Sequence, residues 1–462
     1  MTDAAAPPGT FFAELRAREF SRLDRGRHAY LDYTGSGLYP EGLLDRHAAL
    51  LREHLFGNPH SRHAPSAAST ETLDGARAAV LAFLDADPAE YAAVLTANAS
   101  GAIKLVGESY PFGPGGAYLL AADNHNSVNG IREFARRAGA SVTYLPLDDE
   151  LRLAAPERAL AEGARAAGAH PRLFAYPAQS NFSGVRHPLA LVEAARALGY
   201  DVLLDAAAYL PTSALSLRRV PADFVAVSFY KVFGYPTGVG ALVARREALD
   251  RLRRPWFAGG TVDFVSVQND LHQLRAGPER FEDGTPDFLA LSALEPGLAF
   301  MRRLGMERLG AHVRALTAQL LDALGAPRHA NGRPLVQIYG PRTTDRRGGT
   351  VAFNVLDAAG RPVRYEAVED RARAAGVSVR GGCFCNPGAG ERAMGLDAAA
   401  ALRCFRETAG EFTLERFGRC MGAEVAVGAV RASVGMASNA DDVARLAAVV
   451  ESFAGGEGAR AS

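Results

Sequence analysis

A mainly parallel α/β sheet with helices on both faces, followed by a smaller α+β unit, is the fold class that this 462-residue sequence predicts. Three observations predict it. Between about residues 96 and 240, short apolar runs alternate with helix-like segments, the signature of strands joined by crossover helices. Each run is followed by polar or glycine residues, and in open α/β sheets ligands bind beyond the carboxyl ends of the strands. After residue 300 the pattern changes to more widely spaced strands and a closing helix. In chain order, strands are expected at 92–96, 117–121, 141–145, 173–176 and 202–205, then in the run 223–231 that ends at Lys231. A helical stretch at 287–302, interrupted at Pro296-Gly297, leads out of this unit. Strands near 350–355 and 377–380 follow, then a glycine-flanked loop at 381–390, a strand from Ala429 and a helix over 440–453. The expected division is a polar arm and rim segment (1–45), a large domain (46–300) and a small C-terminal domain (301–462). Residues 4–8 and 455–462, small and polar, are expected to be mobile.

Composition narrows the function. Hydrophobic residues make up 48% and charged residues 22%, as in an ordinary enzyme, and 51 basic residues balance 51 acidic ones. That balance argues against nucleic acid and membrane surfaces, and favours small molecules and other subunits as partners. The N-terminus lacks the basic region and apolar run of a signal peptide, and no apolar stretch is long enough to span a bilayer, so a cytoplasmic location is expected. Four cysteines are too few for a disulfide framework, and free thiols are expected, with Cys404 and Cys420 buried or incidental. No metal site is expected, because Cys383 and Cys385 lack a matching second pair.

Lysine is almost absent: Lys104 and Lys231 are the only two in the chain. A chain that uses arginine for nearly every positive charge should keep lysine where a guanidinium cannot act, and attack on a carbonyl carbon is such a place. Lys231, between an apolar run and the turn Val-Phe-Gly234-Tyr-Pro236-Thr-Gly238, has the better setting. An amine joined to pyridoxal phosphate needs an acid at the pyridine nitrogen, a ring stacked on the cofactor, a donor to its hydroxyl and a phosphate cup. Asp205 closes the preceding strand and is the candidate acid, with a helix cap as its alternative. His125, after another strand, is the candidate stacking group and proton carrier. Asn98-Ala-Ser-Gly101, where a strand gives way to a helix, suits a phosphate or an ordinary cap. Asn181 is the candidate hydroxyl donor or a turn residue.

The segments Ser228-Phe-Tyr-Lys231-Val-Phe-Gly-Tyr-Pro-Thr-Gly238, Phe281-Glu-Asp-Gly-Thr285 and Gly382-Cys-Phe-Cys385-Asn-Pro-Gly388 resemble the N-terminal desulfurase domain of molybdenum cofactor sulfurases. That domain belongs to the class V aminotransferase and cysteine desulfurase family, of pyridoxal phosphate (PLP) fold type I, and the likeness runs from about Tyr30 to Leu446. It implies a mostly parallel seven-stranded sheet in the large domain and a homodimer. It makes Lys231 the cofactor lysine, with Asp205, His125 and Asn181 in the roles above, and it assigns phosphate contacts to Asn98, Ala99, Ser228 and Tyr230. Gly259-Gly260-Thr261 matches the loop that reaches the neighbour's phosphate. Arg380, five residues before Cys385, has the family's spacing between the arginine that grips the substrate carboxylate and the nucleophilic cysteine. Arg431 is a second carboxylate candidate or a structural ion pair.

The resemblance implies transfer of sulfur from L-cysteine to a persulfide on Cys385, with alanine released; Cys383 competes for that role. The loop carrying Cys385 is expected to be mobile, so that it can deliver sulfur elsewhere. A carbon–sulfur lyase, a selenocysteine lyase, or a decarboxylase or aldolase acting on an amino acid uses the same scaffold and stays open. One departure is Ala208, where many cysteine desulfurases carry glutamine. The chain ends where molybdenum cofactor sulfurases continue into a further domain, so the sulfur acceptor is expected to be a separate protein. Asp32-Tyr-Thr-Gly-Ser-Gly37 and Gly57-Asn-Pro-His60 resemble rim segments that touch substrate or turn the chain.

Overall fold

The computed structural model describes residues 8–422 and 426–454. The expected mobile ends lie outside the described residues, except Pro8, which opens helix Pro8–Glu19. Seven strands form the main sheet: β1 Tyr91–Thr96, β2 Ala117–Ala121, β3 Ser141–Leu145, β4 Arg172–Pro177, β5 Asp201–Asp205, β6 Phe224–Ser228 and β7 Gly240–Arg245. Their order is β1-β7-β6-β5-β4-β2-β3, parallel from β6 through β3, with β7 antiparallel to both of its neighbours. β7 is absent from the expected strand list, because its apolar run directly follows the glycine-rich turn that reads as loop.

The sheet is covered on both faces, and β1 shows how its residues divide. Tyr91, Ala93 and Leu95 join Leu73 and Leu298 in one apolar cluster, whereas Ala92 and Val94 join Ile103 and Val106 in the other. That alternation is the period-two geometry of a strand between two helix layers. β3, at the sheet edge, keeps only Leu145 buried. The stretch expected as helix over 287–302 is two helices, Phe288–Leu291 and Leu294–Leu304. The break falls at Ser292-Ala293; Pro296 lies in the first turn of the second helix, where a missing N–H costs little. No helix among the described residues is long and apolar enough to cross a membrane.

A second, antiparallel sheet contains β8 Val336–Tyr339, β9 Thr350–Val355, β10 Arg380–Gly382 and β11 Ala429–Ser433, in the order β8-β9-β11-β10. The N-terminal segment is packed against this part of the chain. Arg16, on the first helix, forms a buried ion pair with Asp442 at 2.6 Å. Ala29–Tyr30 pairs in parallel with Val377–Ser378, which carries residues 32–37 to the second sheet.

Asp223, just before β6, makes a separate prediction. Its carboxylate accepts the Val202 N–H at 2.9 Å and meets Arg196 at 3.4 Å, yet burial pushes its pKa up to about 6. The folded state therefore holds this proton more tightly than the unfolded chain does, and the associated stability is lost as pH rises through about 6. Asp223→Asn keeps an acceptor for Val202 and is expected to raise stability at pH 7 by on the order of 2 kcal/mol, with little gain at pH 4. Urea unfolding at the two pH values tests this; a gain independent of pH contradicts it.

Candidate active site

β6 stops at Ser228, so Lys231 is not the last residue of a strand as expected; it sits in the one-turn helix Phe229–Phe233. Gly234 ends that turn with φ near 80°, and a Cβ there would lie 2.3 Å from the Leu38 carbonyl carbon. Only glycine meets both demands. The rim segment leans on the same turn: Gly37 donates its N–H to the Tyr230 carbonyl at 3.0 Å.

Lys231 lines a polar cleft that opens to solvent. Asn98, Ala99, His125, Asn181, Asp205, Ser228 and Tyr230 line the same cleft, so eight residues singled out in the sequence converge on it. Nζ of Lys231 makes no hydrogen bond or ion pair among the described residues. Burial pushes its pKa below the ordinary lysine value, against the opposing pull of Asp205. Asp205 Oδ1 accepts the Ala207 N–H at 3.0 Å, and Oδ2 has no hydrogen-bond partner among the described residues.

Burial likewise lowers the pKa of His125, opposed by Asp205. Its Nδ1 accepts the Ser127 N–H at 3.1 Å, which places the proton of the neutral ring on Nε2. Tyr230 is partly buried, and burial raises the pKa of its hydroxyl. At the helix start, Asn98 caps Gly101 N–H at 2.9 Å and Ser228 Oγ accepts the Ala99 N–H at 2.8 Å. These two residues therefore shape the cup while being satisfied within it. Ser100, within the segment offered for a phosphate, meets Ser127, which sequence reasoning did not single out, hydroxyl to hydroxyl at 2.6 Å on the cleft wall. Sequence reasoning also missed the placement of Gln179, which lines the cleft and donates to the Ala208 carbonyl at 2.9 Å.

The cysteine loop is held to the cleft by hydrogen bonds. Asn126 donates its N–H to the Cys385 carbonyl at 2.7 Å, and Asn181 donates Nδ2 to the Phe384 carbonyl at 2.7 Å. Asn386, fully buried, donates to Asp123 at 2.6 Å and to Asn181 Oδ1 at 3.0 Å. Phe384 and Cys385 both have positive φ, 55° and 56°, a costly state for residues with a Cβ. The hydrogen bonds and the burial of Phe384 against Phe182 offset that strain. Cys385 is exposed, whereas Cys383 is partly buried, donates to the Val427 carbonyl and has its pKa raised by burial.

Arg380 and Arg431 stand directly opposite each other on β10 and β11, and both bond Asp32. Arg431 is buried and also donates to the Asn181 carbonyl at 2.8 Å; Arg380 is half exposed. Gly260 and Thr261 do not line the cleft within one chain; Thr261 closes a turn onto Ala258. Cys404 and Cys420 are not free thiols as expected but a disulfide, joining helices Ala398–Thr408 and Leu414–Met421. A sixteen-residue separation gave no hint of that hairpin, which brings the two cysteines together.

The main sheet and the lysine turn at its carboxyl edge define a PLP fold-type-I protein with the architecture of cysteine desulfurases. The apo cysteine desulfurase of Thermococcus onnurineus superposes with a TM-score of 0.79 over 98% of this chain and 99% of that one, at 24% identity. A cysteine desulfurase of Escherichia coli gives 0.75 over 97% and 98%, at 22% identity. The chain belongs to the aminotransferase class-V family, whose model matches residues 29–446. It is 38% identical to molybdenum cofactor sulfurase of Bos taurus over 83% of this chain and 45% of that protein. The corresponding protein of Homo sapiens is 36% identical over 94% of this chain and 50% of its own length. The chain thus spans about half the length of these curated relatives, and the resemblance read in the sequence is borne out.

Proposed function

We propose that the chain is a PLP-dependent enzyme that moves sulfur from L-cysteine onto Cys385 and releases L-alanine. The observation that carries this reading is the bonding of the Cys385 loop to Asn126 and Asn181, beside the cleft that holds Lys231. The residues present fit the cofactor: an amine and a carboxylate oxygen without partners among the described residues, and an imidazole, line one polar cleft. When bound, PLP supplies an aldehyde carbon for the amine and a ring that withdraws electrons from the substrate Cα.

Lys231 would hold the cofactor and move the proton at the substrate Cα. Asp205 would pair with the pyridine nitrogen and His125 would stack on the ring, its Nε2 carrying the exchangeable proton. Asn181 would donate to the ring oxygen, with Asn98, Ala99, Ser228 and Tyr230 around the phosphate. Arg380 would bind the substrate carboxylate, with Arg431 behind it. Sγ of Cys385 attacks the cysteine sulfur: an S–S bond forms, the Cβ–S bond breaks and Cβ gains a proton. Cysteine plus thiol gives alanine plus persulfide, with no outside oxidant or reductant.

A homodimer suits this site. Hairpin Val262–Ser266 and Leu271–Leu274 exposes Phe264, Val267 and Leu271 as an apolar surface for a second copy; of the two loop residues at its base, Gly260 would approach that copy's phosphate, whereas Thr261 is buried and bonded to Ala258. The sulfur then passes from exposed Cys385 to a separate acceptor protein in the cytoplasm. Incubating purified protein with PLP and L-cysteine, then measuring alanine, sulfide and pyruvate, tests the proposal. Alanine is expected to match the sulfur released; pyruvate in its place would assign a lyase.

A further inference from the structure

Gln179 lines the cleft, yet the reaction just described gives it no part. It lies with Asn181 on the turn that follows β4. A carboxamide offers one acceptor oxygen and two N–H donors. In Gln179 the oxygen accepts Nε–H of Arg186 at 3.1 Å, across the turn where these two residues pair, and Nε2 donates to the Ala208 carbonyl at 2.9 Å. A guanidinium only donates and a carbonyl only accepts, so this orientation of the amide is the one that satisfies both. Gly348 closes the oxygen side, where a Cβ would collide with Oε1. The nitrogen is turned instead toward Ala208, which with Ala207 lines the cleft and brings no polar side chain to that wall. The second Nε2 hydrogen makes no hydrogen bond among the described residues.

Arg186, behind the amide, forms no ion pair among the described residues, and its guanidinium lies over the Tyr209 ring, 5.5 Å from the centroid. A charge-assisted hydrogen bond to Oε1 draws electron density from the amide and strengthens Nε2 as a donor. Asn181 is committed in the same way: one Nδ2 hydrogen serves the Phe384 carbonyl, and the other has no partner among the described residues. Two carboxamides of one turn thus each keep one N–H for the cleft.

We infer that Gln179 is a cofactor-binding residue: with Asn181 it presents a pair of N–H donors to the anionic ring oxygen of PLP, and Arg186 is the positioning residue that fixes and polarises its amide. This rests on the cofactor reading above and not on which reaction follows. A donor at the ring oxygen stabilises its negative charge against the proton that it shares with the lysine-derived nitrogen, and so lowers the pH at which the bound cofactor changes absorbance. Lys231, Asp205, His125 and Tyr230 face the same cleft, Arg186 and Tyr209 lie behind the amide, and all six are unchanged in the Gln179 variants.

The test is a pH titration of the cofactor absorbance in the PLP-loaded protein. Gln179→Met, which keeps the length of the side chain, is expected to raise the midpoint by about one pH unit. Gln179→Glu still accepts from Arg186 but cannot donate; it should raise the midpoint at least as far, and it serves if the first variant does not fold. Arg186→Met should give a smaller rise, and Gln179→Met/Arg186→Met no more than Gln179→Met alone, because Arg186 acts through the amide. A midpoint unmoved in both Gln179 variants overturns the inference, and additive shifts in the double variant overturn the part given to Arg186. If added PLP gives the wild type no absorbance that survives dialysis, the cofactor reading itself fails and the role of Gln179 falls with it.

Discussion

Lys231→Ala is expected to lower alanine formation by at least ~10³-fold and to abolish covalent retention of the cofactor. The size of the effect follows from composition as well as geometry. Lys104, the other lysine, is exposed and paired with Glu108 at 3.0 Å, so it offers no substitute amine. Lys231→Arg should be almost as severe, because a guanidinium stays protonated and cannot act as the nucleophile. Borohydride treatment of the wild type should fix the cofactor to the peptide containing Lys231. Cofactor fixed elsewhere, or full activity in Lys231→Ala, rejects the assignment.

Cys385→Ala is expected to lower alanine formation by roughly 10²–10⁴-fold while leaving the cofactor absorbance intact, since Cys385 stands outside the cleft wall. That split between chemistry and cofactor binding separates a nucleophile from a structural thiol. Cys383→Ala should cost far less, because its sulfur is turned to the Val427 carbonyl and burial holds it protonated. Equal losses in both variants would mean that the loop conformation, rather than the Cys385 sulfur, is what matters.

Much of the cofactor site was legible because each of its residues follows a strand, and a parallel sheet gathers such residues at one edge. Asp205, His125, Asn181 and Asn98 are of this kind, and all four line the cleft with Lys231. The end of β6 was misread because Phe229 and Tyr230 continue the apolar run; the fold of that turn depends on Gly234 packing against Leu38, nearly two hundred residues away in the chain. Asp32 shows the same limit. Its partners lie 348 and 399 residues downstream, brought together by the pairing of Ala29–Tyr30 with Val377–Ser378. The Cys385 loop reads as flexible from its glycines, but the hydrogen bonds of buried Asn386 hold it to Asp123 and Asn181. Such contacts leave no local periodicity to read.

The most direct test of sulfur transfer is to incubate the PLP-loaded protein with sulfur-labelled L-cysteine, without an acceptor, and map the label by peptide mass spectrometry. The account predicts one labelled sulfur on the peptide containing Cys385, removable by a thiol reductant and absent from Cys385→Ala. Label confined to free sulfide, or carried by Cys383 in the presence of an intact Cys385, would contradict it.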